Sequence, residues 1–186
     1  MRATVILPPS ALKTTSSNSR RARGELAILR GVARANPVNT VEEFAIVAVS
    51  AYVRSGDRVL LVQRGKEPGK GLWAFPGGRV RRGEKLAEAV KRELREETNI
   101  EGEPVGIVAV TEVIARARDG RPYHYVILTF AIREETIRGT LRPGGDVLEA
   151  RWIPVQEALE MRTVVGSVKR VLESPNLPII NPATLE

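Results

Sequence analysis

GGRVRRGEKLAEAVKRELREETNI, residues 77–100 of a 186-residue chain, decides both fold class and chemistry. A helix over residues 84–98 turns ~100° per residue, so Leu86, Ala89 and Val90 share one apolar stripe suited to packing on a sheet. One and two turns further on, the stripe meets Glu93 and Glu97 rather than leucine or valine, and Glu96 lies to one side. Lys85, Glu88, Lys91, Arg92 and Arg95 take the other faces. Carboxylates at i and i+4 on a half-buried face repel each other and are costly to desolvate. Divalent Mg²⁺ answers both costs, because it prefers oxygen ligands, keeps some water and bridges carboxylates to phosphate. The alternative is a charged surface helix with Glu88–Arg92 and Arg92–Glu96 pairs, each worth only ~0.2–0.5 kcal/mol. That alternative accounts for Glu88 and Glu96 but gives no reason for Glu93 and Glu97.

Outward from this helix the pattern is mixed. On the N-terminal side, residues 44–53 form an apolar, β-branched run suited to a buried strand. Ser55-Gly56-Asp57 makes a turn and residues 58–63 return as a second strand. Residues 64–83, rich in Gly, Pro and charge, read as a loop holding Trp73-Ala74-Phe75. On the C-terminal side, residues 105–117 and 123–134 are strands joined in a hairpin at Asp119-Gly120. A short strand over 150–153 and helices over 155–161 and 164–173 complete the pattern. This order predicts an α/β sandwich with a mixed sheet, occupying residues 41–174. Residues 1–40 read as a basic extension with a short helix over 25–35, and residues 175–186 as a proline-containing coil.

Composition bounds the chemistry. Apolar residues make up 42% and charged residues 27% of the chain, the balance of an ordinary globular protein. No apolar run approaches the ~20 residues that span a bilayer. Pro8 and Pro9 interrupt the only apolar stretch near the N-terminus, which makes a poor signal peptide, so a cytoplasmic location is the simplest expectation. Without cysteine there are no disulfides, thiolate metal sites or thiol nucleophiles. With His124 the only histidine, a metal must be held mainly by oxygen, favouring Mg²⁺ or Mn²⁺. The net charge of +7 suggests nucleic acid until it is divided. Residues 1–40 carry +6, and the remaining 22 basic and 21 acidic groups leave the rest of the chain at +1. The basic extension is suited to RNA or an acidic partner, and a solvated arm is the plainer reading.

The stretch resembles the signature of the Nudix hydrolases: Gly, five residues, Glu, seven residues, Arg-Glu-aliphatic, one residue, Glu-Glu, one residue, Gly, aliphatic. This chain supplies Gly78, Glu84, Arg92-Glu93-Leu94, Glu96-Glu97, then Asn99 and Ile100. Only the last glycine departs. That glycine closes the helix in a left-handed conformation, for which asparagine is the next most tolerant residue. The resemblance runs over residues 42–173 and implies a Nudix-type α/β/α sandwich. By position, it implies that Glu93, Glu96 and Glu97 ligate one to three divalent ions, helped by the Gly77 carbonyl. Gly77 and Gly78 leave room for close backbone approach, and Glu84 pairs with Arg92 to support the loop. The resemblance further implies that the metals would polarise a diphosphate and acidify the attacking water, with Glu97 or Glu93 as metal-bound activator. Members often recruit a further carboxylate, for which Glu149 is the candidate, with Asp146 behind it.

For substrate binding the candidates are Arg64, with Lys66 and Lys70 as alternatives, then Gly78, Trp73 and His124. Tyr123-His124-Tyr125 offers aromatic faces for a base or ribose, and core packing is an equal reading for them and for Trp73 and Phe75. The run LWAFPGG and the later HYVILTF look most like ADP-ribose pyrophosphatases, which make AMP and ribose 5-phosphate. Nucleoside triphosphates, oxidised or ordinary, are the alternative substrates. An RNA-end pyrophosphohydrolase using the basic extension and a non-catalytic nucleotide sensor are rival functions. Related enzymes commonly dimerise, so a homodimer is compatible with the resemblance.

Overall fold

The chain divides into two units, Met1–Thr40 and Val41–Glu186. The computed structural model describes residues 44–117, 120–174, 177 and 179–180, all in the second unit. The helix expected over 25–35 lies outside the described residues.

Strand β1 (Ile46–Tyr52) is followed by a tight hairpin of β2 (Arg54–Ser55) and β3 (Arg58–Arg64), turned at Gly56 with φ +59°. Next come β4 (Trp73–Ala74), β5 (Gly77–Arg79), helix α1 (Leu86–Thr98), β6 (Pro104–Arg116) and β7 (Pro122–Ile132). A single 3₁₀ turn (Glu134–Thr136) leads to β8 (Val147–Pro154), α2 (Val155–Glu160) and α3 (Gly166–Leu172). One sheet has the order β5-β1-β7-β6, with β1 and β7 parallel and the other pairs antiparallel. In the second sheet β3 pairs antiparallel with β2 and β4 along one edge and with β8 along the other. The expected mixed sheet is therefore present, with an antiparallel sheet beside it. The physical reason is that β1 already has β5 and β7 on its two edges, so β3 must find other partners.

Strand β3 shows why its sequence, VLLV, is apolar without alternation. Leu60 faces a core shared with Val49, Phe130 and the α1 residues Ala89, Val90 and Leu94. Val59 and Leu61 face the opposite core, built with Trp73, Phe75, Ile153, Val168 and Val171. The result is α/β/α layering, with α1 on one core and α2 and α3 on the other. Among the described residues no helix is long and apolar enough to cross a membrane.

Two short strands lie within residues 64–83, read from sequence as a loop. Gly77–Arg79 pairs with Ala48–Ser50, and Trp73–Ala74 with Val62–Gln63. Glycine is a weak strand former, and this pairing exists only because β1 is already in place. At the C-terminal end, expected to be coil, Ile180 bonds both ways with Ile107 at 2.8 Å.

Candidate active site

Helix α1 brings the carboxylates to the sheet edge, and its buried stripe is wider than the wheel suggested. Val90, Leu94 and Thr98 stay buried along its whole length. Glu93 and Glu97 lie on the flank of that stripe, facing the glycine pair. The helix therefore keeps its hydrocarbon anchor at the C-terminal end and adds the carboxylates beside it. It ends at Asn99, left-handed with φ 57° and ψ 20°, as expected of a stand-in for glycine. The Asn99 amide also gives what glycine cannot, a 2.8 Å hydrogen bond from Nδ2 to the Thr140 carbonyl.

Arg92 organises the first set of acids. Its Nε and Nη2 donate to the two Glu84 oxygens at 2.6 and 2.9 Å, and Nη2 also reaches the Arg79 carbonyl at 3.1 Å. Nη1 donates to Glu93 and, at 3.3 Å, to Glu96. The fork of a guanidinium suits such bidentate contact. The Arg92 bond, reinforced by the Arg81 amide, holds the Glu84 carboxyl down at about 2, and burial opposes it. The supporting pair expected from sequence is thus in place, tying loop to helix.

Glu97 sits differently. Its Oε2 accepts from the Gly77 amide at 2.9 Å. Burial pushes its carboxyl up to about 7, and the negative charges of Glu93 and Asp146 add to that push. The Gly77 amide and Arg64 pull the other way without winning. The glycines make this proximity physical. A Cβ on Gly77 would stand 2.2 Å from the Val49 carbonyl oxygen, and one on Gly78 would stand 2.6 Å from the Glu93 carboxyl. Gly77, Gly78, Glu93 and Glu97 line a cleft of about 610 Å³, a size suited to a nucleotide, together with Arg64 and Asp146.

Sequence candidates divide accordingly. Gly77, Gly78, Glu93, Glu97 and Arg64 meet at the cleft, with Lys66 at its rim in a 3.2 Å ion pair to Asp146. Glu96 points outward, its side chain 45% exposed and engaged by Arg81 and Arg92. Among the described residues no three acids converge as a ready-made ligand set, and Glu96 is turned onto Arg81 and Arg92. Glu149 is not brought to the cleft: strand β8 turns it onto Arg151, and Asp146, just before the strand, takes the place. Trp73 is buried core with the Arg151 guanidinium 5.6 Å from its ring centre. His124 points away from the cleft and bonds Glu112 across the hairpin at 2.9 Å, because alternation along β7 sends its neighbours Tyr123 and Tyr125 inward. Two polar pairs on the cleft wall escaped the sequence reading. Ser50 donates to Thr129 at 2.9 Å, and Arg79 to the Tyr125 hydroxyl at 2.7 Å. Neither has a local signal, since each joins strands far apart in the chain.

Residues 45–173 match the family model of the NUDIX domain. The chain belongs to the NUDIX family. The ADP-ribose pyrophosphatase of Methanocaldococcus jannaschii is 35% identical to this NUDIX chain over 106 residues, 57% of this chain and 60% of that one. The 8-oxo-dGDP phosphatase NUDT18 of Mus musculus is 34% identical over 76 residues, 41% of this chain and 24% of that one. The chain thus matches less than two thirds of either relative. A crystal structure of a MutT NUDIX hydrolase from Burkholderia pseudomallei superposes with a TM-score of 0.61 at 25% identity, covering 72% of this NUDIX chain and all of that one.

Proposed function

We propose that this chain hydrolyses the phosphoanhydride bond of a nucleoside diphosphate derivative, with ADP-ribose, cut to AMP and ribose 5-phosphate, as leading substrate. The observation that carries the reading is the placement of Glu97 and Glu93 in the cleft, Glu97 Oε2 on the Gly77 amide at 2.9 Å and the Glu93 carboxyl against Gly78. There burial, then Glu93 and Asp146, push the Glu97 carboxyl up to about 7. At Glu97 the pull of Arg64 does not offset burial and the neighbouring acids, and the ligand atoms on offer are all oxygen, which fits Mg²⁺ or Mn²⁺. Glu93 and Glu97 are the proposed ligands, with Glu96 joining when its arginines release it. Asp146 replaces Glu149 as the additional carboxylate. A divalent cation bound there supplies the charge that polarises the diphosphate and makes water a nucleophile at neutral pH.

The chain's own groups do the rest. Arg64 lines the cleft and is suited to hold a phosphate oxygen. The Gly77 amide fixes Glu97 through Oε2, leaving Oε1 as its second acceptor. The Arg92–Glu84 pair clamps the glycine strand to α1 and so keeps Glu93 beside Gly78. Oxidised nucleotides are a second reading, favoured by the relative named as an 8-oxo-dGDP phosphatase. A panel of nucleoside diphosphate sugars, oxidised nucleoside diphosphates and nucleoside triphosphates, assayed with Mg²⁺ or Mn²⁺ and with products resolved by phosphorus position, decides between them. Hydrolysis of none of the panel overturns the proposal.

A further inference from the structure

The cleft has a second wall that the chemistry at Glu97 does not use. Along β7, alternation turns Tyr123, Tyr125, Ile127 and Thr129 into the cleft. Thr129 pairs with Ser50, opposite Gly77, and Tyr125 pairs with Ile46 of the same strand. Four residues of strand separate the two rows, roughly 13 Å at ~3.3 Å per residue. Tyr125 is thus one nucleoside's reach from the glycine pair, in the same cleft.

Its ring is held at the hydroxyl and from the side. The hydroxyl accepts from Arg79 Nη2 at 2.7 Å and from Nε at 3.2 Å, and the guanidinium carbon lies 5.5 Å from the ring centre. Arg79 follows Gly78 directly, and its carbonyl accepts from Arg92, so the motif itself pins this ring. The Tyr123 ring stands 5.9 Å away at 59° and supports it from the side. Both tyrosines are half-buried, their hydrocarbon toward the cleft. A flat π face fixed in advance, beside Val113 and Ile127, suits a flat heteroaromatic ring better than a sugar or a phosphate.

We propose that Tyr125, pinned by Arg79 and flanked by Tyr123, is the surface on which the substrate's nucleobase stacks. The inference rests on the reading of the cleft as a nucleoside diphosphate site and adds which wall takes the base. Stacking tolerates any base, because every base has a π face. This wall therefore sets the affinity for having a base at all, while the choice among bases lies with other groups. Arg79 is a positioning residue here: it fixes the ring.

Calorimetry on the full chain with AMP, and separately with ribose 5-phosphate as the baseless counterpart, tests this. Tyr125→Leu should weaken AMP by about 10- to 100-fold, the range of base–aromatic stacking, and leave ribose 5-phosphate unchanged. Tyr125→Phe keeps the face and should retain most of the AMP affinity. Etheno-AMP bound to the wild-type protein provides a measurement that needs no variant, since stacking quenches its fluorescence. Equal weakening of both ligands, an unaltered AMP affinity in Tyr125→Leu, no AMP binding by the wild type, or unquenched etheno-AMP would each overturn the inference. The two levels separate cleanly. Hydrolysis of ADP-ribose with the same kcat/KM in wild type and Tyr125→Leu sinks the stacking wall and spares the function. No hydrolysis of any nucleoside diphosphate derivative by the wild type sinks the function.

Discussion

Replacing Glu97 with glutamine should stabilise the metal-free protein at alkaline pH while removing its activity. In the folded chain the Glu97 carboxyl is pushed from 4.5 up to about 7, first by burial and then by Glu93 and Asp146. Below pH 4.5 the group is protonated in folded and unfolded chains alike, and no cost arises. Between 4.5 and 7 the unfolded chain releases the proton while the folded chain keeps it, so stability falls as pH rises. Above 7 both are ionised and the whole cost is present. At ~1.4 kcal/mol per tenfold change in acidity, that cost is roughly 3 kcal/mol.

Glutamine is close to isosteric, still accepts from the Gly77 amide, and carries no charge at any pH. In chelator-containing buffer, Glu97→Gln should therefore melt higher than wild type at pH 8. At ~2–4 °C per kcal/mol for a chain of this size, the gap is roughly 6–12 °C, reduced by whatever attraction to Arg64 is lost. Near pH 4.5 the gap should vanish. Mn²⁺ should raise the melting temperature of the wild type more at pH 8 than at pH 5, and the variant little at either. Hydrolysis by the variant should fall at least ~100-fold. A variant no more stable than wild type at pH 8, or a gap independent of pH, would refute the reasoning.

Other substitutions separate support from chemistry. Gly77→Ala places a methyl against the Val49 backbone and should cost at least ~2 kcal/mol in urea unfolding. Gly78→Ala presses first on the Glu93 carboxyl, the far end of a side chain rather than backbone, so it should cost less stability than Gly77→Ala and lose hydrolysis and Mn²⁺ affinity. Arg92→Lys loses the fork that holds Glu84 at about 2. Because that stabilisation is present above pH 4.5 and lost as pH falls toward 2, the deficit of roughly 1–3 kcal/mol should show in unfolding at neutral pH and close in acid. Asn99→Val forces a branched residue into the left-handed region and should cost ~1–2 kcal/mol in the same assay, whereas Asn99→Gly keeps the turn and gives up only the bond to Thr140.

What was legible in the sequence was whatever repeats locally. Helix α1 ends at Thr98 as expected, and β6, β7, α2 and α3 lie within two residues of their expected limits, because each has its own period. The glycine strand β5 was invisible, since its pairing depends on β1, some thirty residues earlier. The sequence offered Tyr123, His124 and Tyr125 together, although strand parity turns His124 and its neighbours opposite ways. It could not say which way is the cleft, and that choice sent His124 outside. The same limit exchanged Glu149 for Asp146. Only the start of β8 at Val147 decides that one acid precedes the strand while the other, two residues into it, meets Arg151.

The concentration of charge at the cleft is a product of backbone packing. A Cβ on Gly65 would lie 2.1 Å from the Asp146 carbonyl oxygen, on Gly77 2.2 Å from that of Val49, and on Gly144 2.3 Å from that of Glu96. Each contact draws a loop or strand against a neighbour closer than any side chain would permit. Together they bring Asp146 near Glu97 and set Glu97 against the Gly77 amide, while the buried Leu94 and Thr98 anchor the helix end beneath. Acids left to relax would move apart; here the hydrophobic core and these approaches oppose their repulsion. Burial raises the Glu97 carboxyl first and the charges of Glu93 and Asp146 add to it, so a cation placed among the acids would favour the ionised form. Binding of such a cation would therefore be linked to folding. Loosening Gly65 or Gly144 should weaken metal affinity without altering a carboxylate, because what those glycines hold is the distance between charges.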